Sequence, residues 1–420
     1  MILEVINTGS ELLLGNTVNT HLSFLGQELF PLGLRIARQV TVPDGEEIRT
    51  ALTEALARAD IILVTGGLGP TTDDITREIS AELLGLPLIE DESVWIAIQE
   101  RFARRRLEMT PRNRRQAQVP QGATVLVNPY GTAPGLYLRH VAAEAAGAVR
   151  HLFLLPGPPR ELRPMFQNVV APILKELVPG GATVQSRRWL VVGLGESKVE
   201  SIIGEALMAI PGLELGYCAR PGAVEVRCIG DAQALEAAEA VMAAKLPTQI
   251  AGEGGDALED FVVHSLIAHG ETLATAESCT GGYLANKITN VPGASEVFLA
   301  GYVTYSNEAK THSLGVPAEL IAEHGAVSAP VARAMAEGAM RESGATFALA
   351  TTGIAGPGGG TPEKPVGTVF IALARRNEET WVVKQSYPTD RETFKSLTVQ
   401  TALDMLRKAL THTSETKLLP

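Results

Sequence analysis

The chain has 420 residues, of which 45% are hydrophobic and 20% charged, and its formal net charge is −11. That length suits two or three domains, and the apolar content speaks for packed cores rather than disorder. The acidic balance argues against general nucleic-acid binding. Three cysteines, at 218, 228 and 279, match no zinc ribbon or redox pair and argue against a disulfide framework.

The amino terminus, MILEVINTGSELLLGN, carries an early acidic residue and no basic n-region. No apolar run reaches the roughly 18 residues of a membrane span. A cytoplasmic protein with no membrane partner is the expectation.

In chain order, LEVINTGS reads as a strand and TVNTHLSFLGQELFPLG as a helix ending near Gly33. LRIARQVTVPD, GEEIRTALTEALARA and DIILVTGG then read as strand, helix and strand. TDDITREISAELLG reads as a helix capped by Thr72, with Asp73 and Asp74 in a first turn that favours carboxylates. Short apolar strands between helices predict an α/β fold with a mainly parallel sheet, over residues 1–178. From Trp189 the elements shorten into a β-α-β-β-α unit, assigned to 179–250. PTQIAGEGGDALED, residues 247–260, reads as a hinge. A second α/β domain with a mainly parallel sheet, 251–420, follows with LATAE, ATFALATTG and VGTVFIALA as strands.

Neither α/β domain carries a dinucleotide glycine fingerprint or a Walker A run. In LVTGGLGPTTDDIT, however, Gly66, Gly67 and Gly69 let a backbone approach a ligand closely, between a strand and a helix terminus that suits anions. Asp73 and Asp74 beside a phosphate call for a hard divalent ion between the charges; their other reading is a favourable first turn. Glu11, Asn16 and Asn19 stand near the first strand's exit. The run RFARRRLEMTPRNRR is strongly basic, and guanidinium groups suit phosphate. A solvated helix face explains residues 101–106 more simply, whereas 111–116 breaks helical character and reads as a binding loop.

In TAESCTGGYLANKIT, Ser278 and Cys279 sit where a strand-like run gives way to a helical one. No Gly-x-Ser-x-Gly elbow surrounds Ser278, and histidines at 264, 269, 312 and 324 keep a Ser–His–Asp arrangement open. YVTYSNEAK offers another partner set. A buried Lys310 with a depressed pKa can act as a base, and the Tyr305 hydroxyl can relay a proton. Backbone N–H groups near Thr280, Gly281 and Gly282 are candidate oxyanion donors. Gly356, Gly358, Gly359 and Gly360 can wrap a ligand, with Arg391 as a phosphate candidate; a surface loop and a surface ion pair are the plainer readings.

GSELLLGNTVNT, TGGLGPTTDDIT, NPYGTAPG and LPGPPREL resemble the molybdopterin-binding-like domain that opens CinA proteins. AESCTGG, YVTYSNEAK and TGIAGPGGGTPEKPVGTV resemble that family's carboxy-terminal amidohydrolase domain, and the middle unit is similar to a K-homology fold. The resemblance implies hydrolysis of nicotinamide mononucleotide to nicotinic acid mononucleotide and ammonia, with Ser278 as nucleophile and Tyr305 and Lys310 as the activating pair; no metal-ligand cluster is evident in this half of the sequence, so metal-independent deamidation is expected. For the first domain it implies a metal-dependent ADP-ribose pyrophosphatase, with Asp73 and Asp74 near the metal and Asn113, Gln116 and Asn128 in the pocket. Thr72 stands where the family often has histidine, so any histidine-specific role is missing. In the middle unit GLGES departs from the G-x-x-G loop of nucleic-acid-binding relatives, so no direct nucleic-acid partner is expected. A homodimer is expected. The rival reading is a competence or recombination accessory protein acting through protein contacts, its first domain binding nucleotide without turnover.

Overall fold

The computed structural model describes residues 1–141, 149–178, 184–253 and 257–411. The chain divides into two compact units, Met1–Thr183 and Val184–Pro420.

The first unit is built on a six-stranded sheet. Its spatial order is Ile36–Val42, Leu3–Thr8, Ile61–Thr65, Val149–Leu155, Gly135–Val141 and Thr124–Leu126. The first four run parallel, and the last two are joined on by antiparallel pairing. Strand Ile61–Thr65 is buried along its whole length, as a central strand covered on both faces must be. Alternation divides its side chains: Ile61 and Leu63 enter one core, Ile62 and Val64 the other. Each such side chain contributes roughly 1.5–3 kcal/mol on burial.

The helices differ from the sequence expectation at two starts. The first long helix begins only at His21, because residues 14–20 form an irregular segment. The helix after the glycine loop begins at Thr76, without a side-chain cap. Thr72 therefore does not cap it, and Asp73 and Asp74 precede it rather than occupy its first turn. A local turn competes for them: Asp74 Oδ2 accepts the Thr71 N–H at 2.9 Å and the Thr71 hydroxyl.

The second unit holds two sheets. The smaller, antiparallel one runs Glu214–Arg220, Ala223–Gly230, Gln185–Val192, Ile250–Glu253. Ile250–Glu253 lies within the stretch 247–260 expected as a hinge, but it pairs with Gln185–Val192 and closes the middle sheet. Residues 254–256 of that stretch, and 179–183 of the first boundary, lie outside the described residues. The middle sheet packs a core of its own around Trp189, Val199 and Met242 on one face, while Leu190, Val192, Ala223 and Ala251 share a core with Val262, Leu266 and Leu403.

The larger sheet runs Phe298–Val303, Leu273–Glu277, Phe347–Gly353, Thr368–Arg375, Trp381–Ser386. Its first three strands are parallel and the last two are added antiparallel. Among the described residues no helix is long and apolar enough to cross a membrane.

Candidate active sites

Strand Leu273–Glu277 is wholly buried, and the chain leaves it at Ser278 before entering helix Tyr283–Thr289. The neighbouring parallel strand ends at Val303 and leads into helix Asn307–Leu314, capped by the Ser306 side chain. That helix carries Lys310 back toward the first strand's exit. Lys310 is only 1% exposed. Its Nζ donates to Ser278 Oγ at 3.1 Å, to Thr304 O at 2.8 Å and to Tyr305 O at 3.3 Å. Burial pushes the Lys310 ammonium below its ordinary pKa. A neutral amine so placed can take the proton of the serine hydroxyl.

Ser278 thus has a lysine rather than a histidine as its hydrogen-bond partner. Cys279, the rival nucleophile, is buried, and loss of water drives its thiol up to about 12. A thiol held that high stays protonated and unreactive at neutral pH.

The turn after Ser278 is fixed from below. Ser278 N–H donates to Thr351 O at 2.9 Å, and Thr280 Oγ1 lies 2.7 Å from Thr351 Oγ1. Glu277, fully buried, accepts the N–H groups of Gly282 and Leu284 at 3.0 Å and of Ala285 at 2.8 Å. Gly282 N–H is therefore occupied and is not an oxyanion donor, contrary to the sequence expectation. Thr280 and Gly281 keep that role open, and Gly281 has open space on its Cβ side. Sequence reasoning missed Glu277, whose buried charge only the fold reveals.

Tyr305 also departs from expectation. Its side chain is 65% exposed, its hydroxyl meets Arg391 Nη2 at 3.3 Å, and only its carbonyl reaches Lys310. A proton relay through that hydroxyl has no path in this geometry. Arg391 Nη1 also donates to Gly356 O at 3.0 Å, which ties the start of the last helix to the glycine loop. Gly358, Gly359 and Gly360 are exposed in that loop.

In the first unit, a cavity of about 550 Å³ opens at the carboxyl ends of the parallel strands, where open α/β sheets bind ligands. Gly66, Gly67 and Gly69 line it, with Glu11, Asn19 and Gln116. Gly66 has φ +101°, and a Cβ there would stand 2.4 Å from Thr8 Oγ1, so only glycine lets the strand exits come this close. Gln116 is 1% exposed; its Nε2 donates to Thr132 Oγ1 at 3.0 Å, while its Oε1 has no partner. Such an orphan acceptor is unusual and suits a ligand donor.

Three expected pocket residues lie elsewhere. Asn16 does not line the cavity. Asn113 closes its own turn, with Oδ1 accepting Thr110 N–H at 2.8 Å and the Thr110 hydroxyl at 3.0 Å. Asn128 braces the adjoining loop: it donates to Ala133 O at 2.7 Å and Glu161 Oε2 at 2.9 Å, and accepts from Tyr130 N at 3.0 Å and Gly131 N at 2.9 Å. Among the lining residues that sequence reasoning missed are Asp44, Glu161 and His21. Burial and the positive charge of Arg163 push the His21 pKa down.

Asp73 and Asp74 line the cavity, with Asp44 and Glu161 adding carboxylates. These are hard oxygen donors. Among the described residues no group of three or more His, Cys, Asp or Glu converges as a metal set. An ion held here would have to complete its coordination from water and a phosphate ligand, as magnesium-like ions commonly do.

Residues 4–176 match a family model described as "Probable molybdopterin binding domain", and residues 255–410 match "CinA C-terminal domain". A CinA-like protein of Akkermansia muciniphila is 47% identical over 400 residues, spanning 95% of each chain. The chain belongs to the CinA family. A Moorella thermoacetica relative, whose name carries the words competence-damage inducible protein, is 44% identical over 97% of this chain and 98% of its own. Among solved structures, that of competence/damage inducible protein CihA from Agrobacterium tumefaciens is 42% identical, with a TM-score of 0.36 over 37% of this CinA-family chain and 98% of its own.

Proposed function

We propose that this CinA-family chain is a bifunctional hydrolase of pyridine-nucleotide metabolism. Its carboxy-terminal domain deamidates nicotinamide mononucleotide to nicotinic acid mononucleotide and ammonia. Its amino-terminal domain hydrolyses ADP-ribose to AMP and ribose 5-phosphate with a divalent ion. The observation that carries the first activity is the buried Lys310 amine 3.1 Å from the Ser278 hydroxyl.

Lys310 takes the hydroxyl proton as Ser278 Oγ bonds to the carboxamide carbon. The oxyanion forms against the Thr280 and Gly281 N–H groups. The Lys310 ammonium then returns its proton to the departing nitrogen, the C–N bond breaks, and ammonia leaves an acyl-serine. Water adds to the ester with Lys310 again as base, and releases the carboxylate and free Ser278. Every proton in these steps comes from the dyad or from the attacking water, and this half is proposed to work without a metal. Arg391 and the glycine loop at 356–360 are the proposed grip on the nucleotide phosphate.

The test is ammonia release from nicotinamide mononucleotide with mass analysis for an acyl adduct. Ser278→Ala should be inactive and adduct-free, and Cys279→Ala should keep much of the rate. An active Ser278→Ala beside an inactive Cys279→Ala would reverse the assignment. For the first domain, the orphan Gln116 acceptor supports binding and the acidic rim supports a phosphate-bridging ion. Tight ADP-ribose binding without turnover, whatever the ion, would favour the accessory-protein reading that relatives' names suggest.

A further inference from the structure

Four guanidinium groups converge on an open groove of about 330 Å³ in the amino-terminal unit. Arg101, Arg104 and Arg105 stand near the end of helix Glu92–Arg105, at spacings that share one face. Arg160 comes from the start of a different helix, Pro159–Met165. Among the described residues no carboxylate lines the groove. Arg104 and Arg160 have only long contacts with acids, 3.9 Å to Glu100 and 3.8 Å to Glu161, and their side chains are 75% and 79% exposed.

Arg101 is held differently. It donates to Pro129 O at 2.6 Å and to Tyr130 O, which fixes that loop at the groove's edge and leaves Tyr130 51% exposed there. Loss of water, then the like charge of Arg105, pushes its pKa down. Basic residues near a helix's carboxyl end are favoured by its dipole. That explains Arg104 and Arg105 but not the arrival of Arg160, nor the Arg101 clamp on a loop beside an exposed aromatic ring.

We propose that this groove binds the phosphate chain of a nucleotide directly, with Tyr130 presenting its ring to the base. Four like charges in one groove repel each other, and a phosphate chain offsets that repulsion while accepting the guanidinium forks in pairs. An aromatic face beside them stacks any base. The groove is electrostatically the opposite of the acidic cavity, whose carboxylates call for a cation beside phosphate. Groove binding therefore needs no metal and does not depend on the pyrophosphatase reading.

The experiment is calorimetric titration of the full chain, at low salt with a chelator present, using tripolyphosphate, ATP and a single-stranded oligonucleotide. Tripolyphosphate and ATP should both bind, and more weakly as salt rises. The double variant Arg104→Gln, Arg105→Gln should weaken both by about tenfold; both side chains lie on the surface, and circular dichroism would verify the fold. Tyr130→Ala should weaken ATP and spare tripolyphosphate. No binding by the wild type, or undiminished binding by the double variant, would overturn the site. Oligonucleotide binding much tighter than ATP would overturn the nucleotide assignment.

Discussion

The hydroxyl of Tyr305 lies 3.3 Å from Arg391 Nη2, while the same residue's carbonyl accepts from Lys310 at 3.3 Å. One residue thus joins the base to the phosphate candidate, but through different atoms. The hydroxyl steadies Arg391 and stays out of the proton path. Tyr305→Phe should therefore raise KM for nicotinamide mononucleotide several-fold and leave kcat within about threefold. A relay role would instead cost about a hundredfold or more in kcat. Steady-state kinetics of the folded variant separates the two.

Lys310 makes the site sensitive to pH in a definite direction. Its amine works as a base only when neutral, and burial lowers its pKa from the ordinary value of 10.5. The rate should rise with pH as Lys310 loses its proton and level off before that value. Stability carries the same signature. Between the folded pKa and the unfolded value of about 10.4, the unfolded chain binds more protons, so the wild type gains stability as pH climbs through that window. Lys310→Met should be inactive yet relatively most stable near neutrality, its advantage over wild type shrinking toward pH 10. The carbonyls it leaves unpaired add a constant offset, so the slope is the readout. A stability difference independent of pH would contradict a buried, depressed lysine.

Glu277 positions the serine turn without touching the reacting atoms. Its carboxylate accepts three N–H groups at 2.8–3.0 Å, and hydrogen bonds to a charged group contribute about 1.5–3 kcal/mol each. Glu277→Gln keeps the volume but turns one acceptor into a donor facing another donor. It should lower stability by about 2 kcal/mol and kcat by about tenfold, with KM little changed. Denaturant unfolding and kinetics on the same sample would check both. An unchanged kcat at reduced stability would make Glu277 a structural anchor alone.

How far the sequence reached depended on the kind of signal. Continuous apolar runs such as Ile61–Thr65 announce buried strands, because such a run has little other use in a short α/β element. Ser278 and Lys310 were legible as chemistry, but their meeting comes from the parallel pairing of Leu273–Glu277 with Phe298–Val303, which no local pattern encodes. Glu277 was illegible because an acid in a strand looks solvent-facing until the turn's N–H groups are seen around it. The polar residues near the first cavity failed for the converse reason. Asn113, Gln116 and Asn128 are alike in sequence, yet Asn113 and Asn128 serve their own turns and only Gln116 keeps an unpaired acceptor. Local hydrogen bonding competes with ligand binding for such side chains.

Asp74 shows that competition within one carboxylate. Its Oδ2 is engaged by the Thr71 N–H and hydroxyl, yet the residue lines the cavity beside Asp73, Asp44 and Glu161. A pyrophosphate brought among these acids meets like charge on every side, and a divalent ion is the simplest remedy. A chelator should therefore abolish ADP-ribose hydrolysis by the full chain and leave ammonia release from nicotinamide mononucleotide intact. Asp73→Asn should weaken the ion and slow turnover by about tenfold or more while leaving the fold unchanged, because its exposed carboxylate supports little structure. Asp74→Ala should slow turnover and also loosen the Thr71 turn, so its thermal midpoint should fall where that of Asp73→Asn does not. Excess magnesium should rescue Asp73→Asn in part, by mass action on a weakened site. Pyrophosphatase activity that survives both chelation and Asp73→Asn would remove the ion from this half. Deamidation lost on chelation would remove the lysine–serine mechanism from the other.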